Sequence, residues 1–178
     1  MHKLYEFCKD RGINTRVVES VIAVEFSLER KEFLEEYFRI GAAYEDVNPW
    51  GNKLKDRGED TLVLEILVEL YKKISRLEHR MIRQELDLVA LESKSNILAL
   101  GHGVLFLEDE ILEVGSIYYL RFVLPSFSDR IIAIFAKALS ANILQITKMQ
   151  ARDIQDFDSY IANTEMATIR VQKYLKGE

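Results

Sequence analysis

Apolar residues recur at alternating intervals of four and three positions along one stretch of the chain. The seam that they form consists of Val63, Leu67, Leu70, Ile74, Leu77 and Met81. This spacing is a heptad repeat, with Leu67, Ile74 and Met81 at a positions and the other three at d positions. It predicts a long helix that buries the seam against another helix, and a second copy of the chain is the simplest partner.

Charged residues beside the seam favour a parallel pairing of copies. In a parallel pair, a residue at a g position faces the e residue five places later on the neighbouring helix. Lys73 would then face Glu78, and Arg80 would face Glu85. These matches arise only between chains, so they support oligomerisation.

The apolar face of this helix is wider than a strict two-helix seam. Leu64, Ile66 and Tyr71 add apolar side chains at e and g positions. A wide face favours more than two helices if the chain self-associates. It also leaves an alternative, in which the first half of the helix packs on residues 13–40 of its own chain.

Patterns on either side predict the remaining elements. Residues 13–26 are rich in β-branched side chains and predict a strand or a strand pair, and apolar spacing over 27–41 predicts a helix. Turn residues over 46–60 predict a linker. After Ser95 the spacing becomes β-like, in runs at 96–100, 103–107, 116–124, 130–139 and 142–148. Helical spacing returns from about Arg152.

These elements predict an α+β fold with a small antiparallel β-barrel, a long coiled-coil-type helix and a C-terminal helix. We divide the chain into an N-terminal strand and helix region with a linker at 1–60, a heptad-repeat helix at 61–92, and the barrel with its C-terminal helix at 93–178. The role of the first region does not follow from its residues.

Composition and charge argue against several classes of function. The 178 residues carry a net charge of −5, and the 24 lysines and arginines are scattered, so we expect no nucleic-acid partner. No apolar run approaches the roughly 20 residues that span a bilayer. Met1 is not followed by a secretory pattern, and Cys8 has no intrachain disulfide partner. We therefore expect a cytoplasmic protein without membrane insertion.

The order of elements and several apolar and glycine motifs resemble PilZ domains. The motifs are Leu100-Gly-His-Gly-Val-Leu-Phe106, Leu112-Glu-Val-Gly115-Ser, Leu120-Arg-Phe-Val-Leu-Pro125 and Phe157-Asp-Ser-Tyr-Ile161, ahead of Arg170. The resemblance covers roughly residues 93–170 and implies a small β-barrel followed by a helix. With the heptad helix, the chain is most similar to the atypical, oligomeric branch of the family.

The resemblance implies a link to cyclic di-GMP, the bacterial second messenger that PilZ domains typically bind. In the family, two motifs bind this ligand. They are Arg-x-x-x-Arg before the barrel and Asp/Asn-x-Ser-x-x-Gly on the barrel. Guanidinium groups stack on guanine and pair with phosphate, while short polar groups meet the base edges. Because both motifs are altered in this chain, we expect no cofactor, although cyclic di-GMP is the ligand that the resemblance implies.

The barrel motif lacks its polar residues. If Gly103 is the motif glycine, Leu98 and Leu100 occupy the acidic and serine positions. If Gly101 is used instead, Asn96 fits the first position, but Leu98 still replaces the serine. Asn96, Gly101 and Gly103 therefore remain weak candidates.

The arginine motif has a match only inside the long helix. Arg76 and Arg80 have the family spacing, and Arg83 is close by, but Leu77 between them belongs to the seam. These three arginines are weak candidate ligand-binding residues, since the helix would have to unwind for them to serve.

No other pattern in the sequence predicts a metal site or a catalytic site. The three histidines His2, His79 and His102 lack metal-ligand spacing, so we expect no metal site. The acidic run at 108–110 has no nucleophile near it and indicates a solvated turn. A third hypothesis, a small-barrel enzyme, is disfavoured because the sequence shows no clustered nucleophile and base. We predict no catalytic residues.

Taken together, these observations predict a non-catalytic PilZ-like regulatory or adaptor protein of bacterial second-messenger signalling, motility or surface behaviour. It would be oligomeric, have degenerate cyclic di-GMP motifs, and act through an unknown partner protein. The alternative is a genuine cyclic di-GMP receptor that uses arginines from a non-standard place.

Overall fold

Six strands and three helices are found in the parts of the chain that the computed structural model describes, residues 15–44, 61–128 and 130–176. For residues 61–65, 68, 72, 76, 79, 83, 172, 175 and 176, only the backbone is described. The strands are β1 (Val17–Leu28), β2 (Ser93–Gly101), β3 (Val104–Leu107), β4 (Ile117–Phe122), β5 (Ile132–Ala138) and β6 (Ile143–Met149). The helices are α1 (Lys31–Ala43), α2 (Thr61–Glu85) and α3 (Ala151–Lys176), and Pro125–Phe127 forms a short 3-10 helix.

The strands form a closed antiparallel barrel in the order β1-β2-β3-β6-β5-β4. β1 pairs with β2 through Phe26 opposite Ser93, and with β4 through Phe26 opposite Leu120. Closure removes both free edges of the sheet, so every strand has a hydrogen-bonded neighbour on each side. The α+β class and the small antiparallel barrel predicted from the sequence are confirmed.

The position of β1 corrects the predicted division of the chain. The strand expected within residues 13–26 is part of the barrel, not of a separate N-terminal region, because without it β2 and β4 would both have unpaired edges. β1 also extends to Leu28, past the predicted helix start at residue 27, since Ser27 and Leu28 pair with Tyr119 and Tyr118 of β4. The predicted linker at 46–60 lies outside the described residues.

Side chains alternate between the two faces of the barrel wall. The interior is filled by apolar side chains that are at most 3% exposed, among them Val24, Phe26, Leu120, Phe122 and Ile134. Phe157 and Ile161 of α3 join this cluster, so the C-terminal helix covers the barrel core. The predicted C-terminal helix is therefore present, and its first turns are part of the domain.

A second apolar cluster lies outside the barrel, between α1 and strands β4 and β5. Phe33 of α1 stacks on Tyr119 with ring centroids 5.1 Å apart, and Tyr119 meets Phe135 at 5.2 Å. Tyr37 and Ile40 complete the buried side of α1. This cluster fixes α1 on the barrel by packing of aromatic rings.

A buried ion pair holds the start of α3. Arg130 and Asp153 are 3% and 2% exposed, and their side chains approach to 2.9 Å. Burial raises the pKa of the Asp153 carboxyl, against the opposing effect of Arg130. Arg130 also pairs with Asp156, so two acidic residues of α3 share one arginine.

Gly101 is required by the close approach of β1. A Cβ atom at this position would lie 2.6 Å from the Arg16 carbonyl oxygen and 2.7 Å from Thr15 Oγ1. We expect Gly101→Ala to lower the free energy of unfolding by about 1–3 kcal/mol, because backbone must move to make room. Urea denaturation at a fixed protein concentration measures this.

Gly103→Asn provides the matched control in the same turn. Gly103 has φ +79°, a conformation that asparagine tolerates, and nothing lies within 4 Å of its Cβ position. We expect a change below about 1 kcal/mol for this variant. Equal losses for the two variants would contradict the assigned role of Gly101.

Candidate functional site

The seam of α2 is an uncovered apolar surface on a single chain. Its described side chains Leu67, Leu70, Ile74, Leu77 and Met81 are 50–61% exposed. The side chain of Val63 lies outside the described residues. Ile66, beside the seam, is also 52% exposed, so the described side chains here are not buried against residues 15–44 of the same chain.

The C-terminal end of α2 is attached to the barrel on its other side. Ile82 and Leu86 pack against the cluster formed by α1, β4 and β5, and so do Leu88, Val89 and Leu91 of the segment that follows. Ile82 is a b position and residue 86 an f position of the heptad, away from a and d. The contacts to the barrel therefore leave the seam free to face another helix.

Glu36 of α1 holds the segment between α2 and β2. Its side chain is 1% exposed and accepts a hydrogen bond from the Val89 N–H at 2.6 Å. The Glu92 N–H donates to Ser27 Oγ at 2.8 Å, and Arg39 donates to the Asp87 carbonyl oxygen. These bonds fix the residues that connect the long helix to the barrel.

The charge of Glu36 is balanced from the barrel wall. Arg121 Nη1 donates to Glu36 Oε1 at 2.9 Å and Arg121 Nη2 donates to Glu25 Oε2 at 3.1 Å, while Tyr119 Oη donates to Glu36 Oε1 at 2.8 Å. Burial raises the pKa of Tyr119 well above its ordinary value, and the neighbouring Glu36 adds to this. The Tyr119 hydroxyl therefore keeps its proton and remains a donor.

Sequence reasoning did not identify this network. The available signal was Arg121 itself, a lone cation in the apolar run Tyr-Tyr-Leu-Arg-Phe over 118–122. Strand alternation places it on the face opposite Leu120 and Phe122, outside the barrel core. Its partner Glu36 is 85 positions away in the sequence, and no local pattern connects the two.

The weak candidate residues of the barrel fall at separate places along one hairpin. Asn96 Nδ2 donates to Glu108 Oε2 at 2.7 Å, across from β2 to the end of β3. Gly101 is buried at the far end of β2, roughly 17 Å further along the strand. Gly103 lies in the tight turn between β2 and β3.

His102 in the same turn is tied to the C-terminal helix. Its Nδ1 atom lies 2.6 Å from Asp158 Oδ1, with both side chains nearly half exposed. Arg16, just before β1, pairs with Glu165 at 2.9 Å. Both contacts attach α3 to this end of the barrel.

Comparison with solved structures gives an informative similarity. No family model and no curated protein matches the chain. Among solved structures, it matches a pathogenic protein from Xanthomonas campestris, described as a new tetrameric PilZ domain self-assembled via an unusual helical bundle. The match covers 96% of this chain and 99% of the other, with 12% identity and a TM-score of 0.51.

The fold is that of a PilZ domain. The similarity extends over nearly the whole chain, and the closed six-strand barrel with a helix after its last strand agrees with it. The resemblance recognised from the sequence is thus confirmed for the fold.

Leu98 and Leu100 are the two residues that the resemblance places at polar motif positions if Gly103 is the motif glycine. Leu100 is 1% exposed and belongs to the barrel core, while Leu98 is half-buried. The Leu100 side chain therefore faces the barrel interior, where an apolar residue is favoured.

The arginine candidates lie on a regular helix. α2 is α-helical through residues 76–83, and the Arg80 side chain is exposed. The side chains of Arg76 and Arg83 lie outside the described residues. β2 begins eight residues after α2 ends, whereas the glycine turn lies at the other end of β2, roughly 25 Å along the strand. The structure does not join the arginines and the turn into one site.

Among the described residues, no helix combines the length and the apolar character needed to cross a membrane. Within the same parts of the chain, no three His, Cys, Asp or Glu side chains group in a way that could hold a metal ion.

Removing Arg121 tests the buried network. We expect Arg121→Met to lower the free energy of unfolding by about 3–5 kcal/mol, because it leaves the buried Glu36 carboxylate without its main cation. Chemical denaturation at fixed protein concentration measures the loss.

Arg30→Met is the control, since Arg30 pairs with Glu92 and both side chains are more than half exposed. We expect a loss below about 1 kcal/mol for this exposed pair. Adding Glu36→Gln to Arg121→Met should recover part of the stability, because no unpaired buried charge then remains. A loss for Arg121→Met no larger than for Arg30→Met would contradict this assignment.

Proposed function

We propose that this protein is a non-catalytic regulatory adaptor of bacterial second-messenger signalling, whose PilZ barrels are assembled through the seam of α2. The observation that carries the proposal is the continuous row of half-exposed a and d side chains on α2. The proposed setting is the bacterial cytoplasm, where motility and surface behaviour are controlled. The proposed output is contact between the assembled barrels and a partner protein.

Self-association would bury a large apolar surface. Complete burial of one Leu or Ile side chain contributes about 1.5–3 kcal/mol, and each copy offers six seam positions. The charge matches of Lys73 with Glu78 and of Arg80 with Glu85 support a parallel arrangement. The similar protein from Xanthomonas campestris is described as a tetramer that assembles via a helical bundle, which supports the same use of a helix here.

The attachment of α2 to the barrel suits this role. Ile82 and Leu86 anchor one end of the helix, and Glu36 holds the backbone at Val89. In a parallel bundle the anchored ends lie together, so the barrels would be grouped at one end of the bundle. The adaptor would then present several barrel surfaces to its partner at once, which raises avidity.

Disrupting the seam tests the assembly. We expect Leu70→Asp with Leu77→Asp to reduce the mass measured by light scattering to that of one chain, because charges at d positions cannot be buried between helices. Both side chains are at least 50% exposed in the single chain, so the barrel itself should stay folded.

Val114→Asp is the matched control for a new surface charge. Val114 is 68% exposed, lies in the loop between β3 and β4, and is not part of the seam. This variant should keep the mass of the native protein. A native mass for the Leu70→Asp, Leu77→Asp variant would sink the proposed assembly.

Cyclic di-GMP binding is the second test. We expect no saturable heat in a calorimetric titration of the assembled protein with cyclic di-GMP, because Leu98 and Leu100 replace polar motif residues and Leu100 is in the core. Saturable binding would contradict the proposed loss of the ligand site. It would favour the receptor reading, and Arg76→Ala, Arg80→Ala and Arg83→Ala variants would then identify the arginines that contribute.

A further inference from the structure

The C-terminal end of α3 projects from the barrel. Tyr160 contacts Ser20 of β1, and further along the helix Glu165 pairs with Arg16, just before β1 begins. The helix therefore runs past the start of β1 and away from the strands. Every described side chain from Met166 to Tyr174 is exposed.

This end continues the side by which α3 covers the barrel. Phe157 and Tyr160 are buried on that side. Val171 and Tyr174 each follow one of them by fourteen residues, which is close to four helical turns, so they share the same side of the helix. Val171 is 58% exposed and Tyr174 is 87% exposed. The stripe that packs on the barrel in the first turns is thus solvent-exposed in the last ones.

The same end is basic, although the chain is acidic. Residues 166–176, here named the basic end, contain Arg170, Lys173 and Lys176 and no acidic residue. The whole chain carries a net charge of −5, so these three cations leave −8 on the rest. An anionic membrane surface would repel that acidic remainder. The charge distribution therefore favours an acidic protein surface as the partner of the basic end.

A surface of this kind is present on the barrel itself. Residues 108–114, here named the acidic loop, contain four acidic side chains and no cation. Ile111 and Val114 in this loop are 53% and 68% exposed. Two of the carboxylates accept hydrogen bonds from the Asn96 amide and the Ser95 hydroxyl, and these uncharged donors do not neutralise them.

The acidic loop is held in a fixed conformation. Leu112 is 6% exposed and belongs to the barrel core, and its N–H donates to the Ala141 carbonyl oxygen at 2.8 Å. The Gly115 N–H donates to the Ala138 carbonyl oxygen, also at 2.8 Å. A surface that is already ordered loses little conformational entropy on binding.

The two surfaces lie too far apart to meet within one chain. The acidic loop begins beside the first half of β2, where the Glu108 N–H donates to the Asn96 carbonyl oxygen. α3 leaves the barrel at the other end of β2, where His102 contacts Asp158. Roughly 20 Å of strand separates Asn96 from His102, and the basic end extends about 16 Å further away. A contact between them joins two copies of the chain.

We infer that the basic end of one copy docks on the acidic loop of a second copy. Val171 and Tyr174 contact Ile111 and Val114, and Arg170 next to Val171 pairs with the loop carboxylates. The inference rests on the proposed assembly, since so small a contact needs copies that the seam already holds close together. A head-to-tail contact repeated around a rotation axis closes into a ring, which suits barrels grouped at one end of a bundle.

Disulfide trapping in the full chain tests the contact. Val114→Cys with Tyr174→Cys, in a Cys8→Ser background, should link copies into a ladder longer than a dimer on a non-reducing gel. Each single variant carries one thiol and reaches only a dimer. Val21→Cys in place of Val114→Cys is the matched control, since Val21 is 73% exposed but lies on β1. This control should cross-link at least tenfold more slowly.

Charge reversal tests the complementarity. Arg170→Glu with Lys173→Glu should slow the trapping at least tenfold, and adding Glu110→Lys with Glu113→Lys should restore it. Light scattering of the reduced variants should give the native mass throughout, because the seam holds the copies together without this contact.

The outcomes separate this contact from the assembly. A native mass without the ladder, or a ladder that forms equally fast in the Val21→Cys control or after Arg170→Glu with Lys173→Glu, would overturn the inference and leave the assembly standing. A single-chain mass for the native protein would overturn the assembly and this contact together. Co-sedimentation with phosphatidylglycerol vesicles that is lost in the Arg170→Glu, Lys173→Glu variant would assign the basic end to a lipid surface and also overturn the inference.

Discussion

The structure depends on closure of the barrel by β1. A six-strand sheet has two edges, and β1 removes both by pairing with β2 on one side and β4 on the other. This strand lies before α1 and α2 in the chain, so closing the barrel brings both helices to its outer surface. The position of Gly101, where a side chain would collide with the backbone at Arg16, follows from the same closure.

The buried network around Glu36 fixes the segment that connects the long helix to the barrel. Arg121 on the barrel wall fixes the carboxylate of α1, which in turn accepts the Val89 N–H after α2. A buried ion pair of this kind contributes little net stability compared with apolar packing, but it is costly to break and it specifies one arrangement. Here the specified arrangement is the direction in which α2 leaves the barrel with its seam exposed.

Several barrel residues to which the resemblance drew attention make contacts within the chain. Leu100 packs in the barrel core, and the His102 ring contacts Asp158. The exposed seam of α2 leads into the segment after that helix, whose backbone Glu36 holds at Val89.

The elements with a regular apolar repeat could be predicted from the sequence. The heptad repeat predicted α2, whose described seam side chains form one exposed row, and alternating apolar runs with glycine turns predicted the barrel and the helix after it. These predictions succeed because periodicity is a property of neighbouring residues. The tertiary structure alone decided that β1 belongs to the barrel and that Arg121 meets Glu36. Those contacts join residues far apart in the sequence, and only closure of the sheet brings them together.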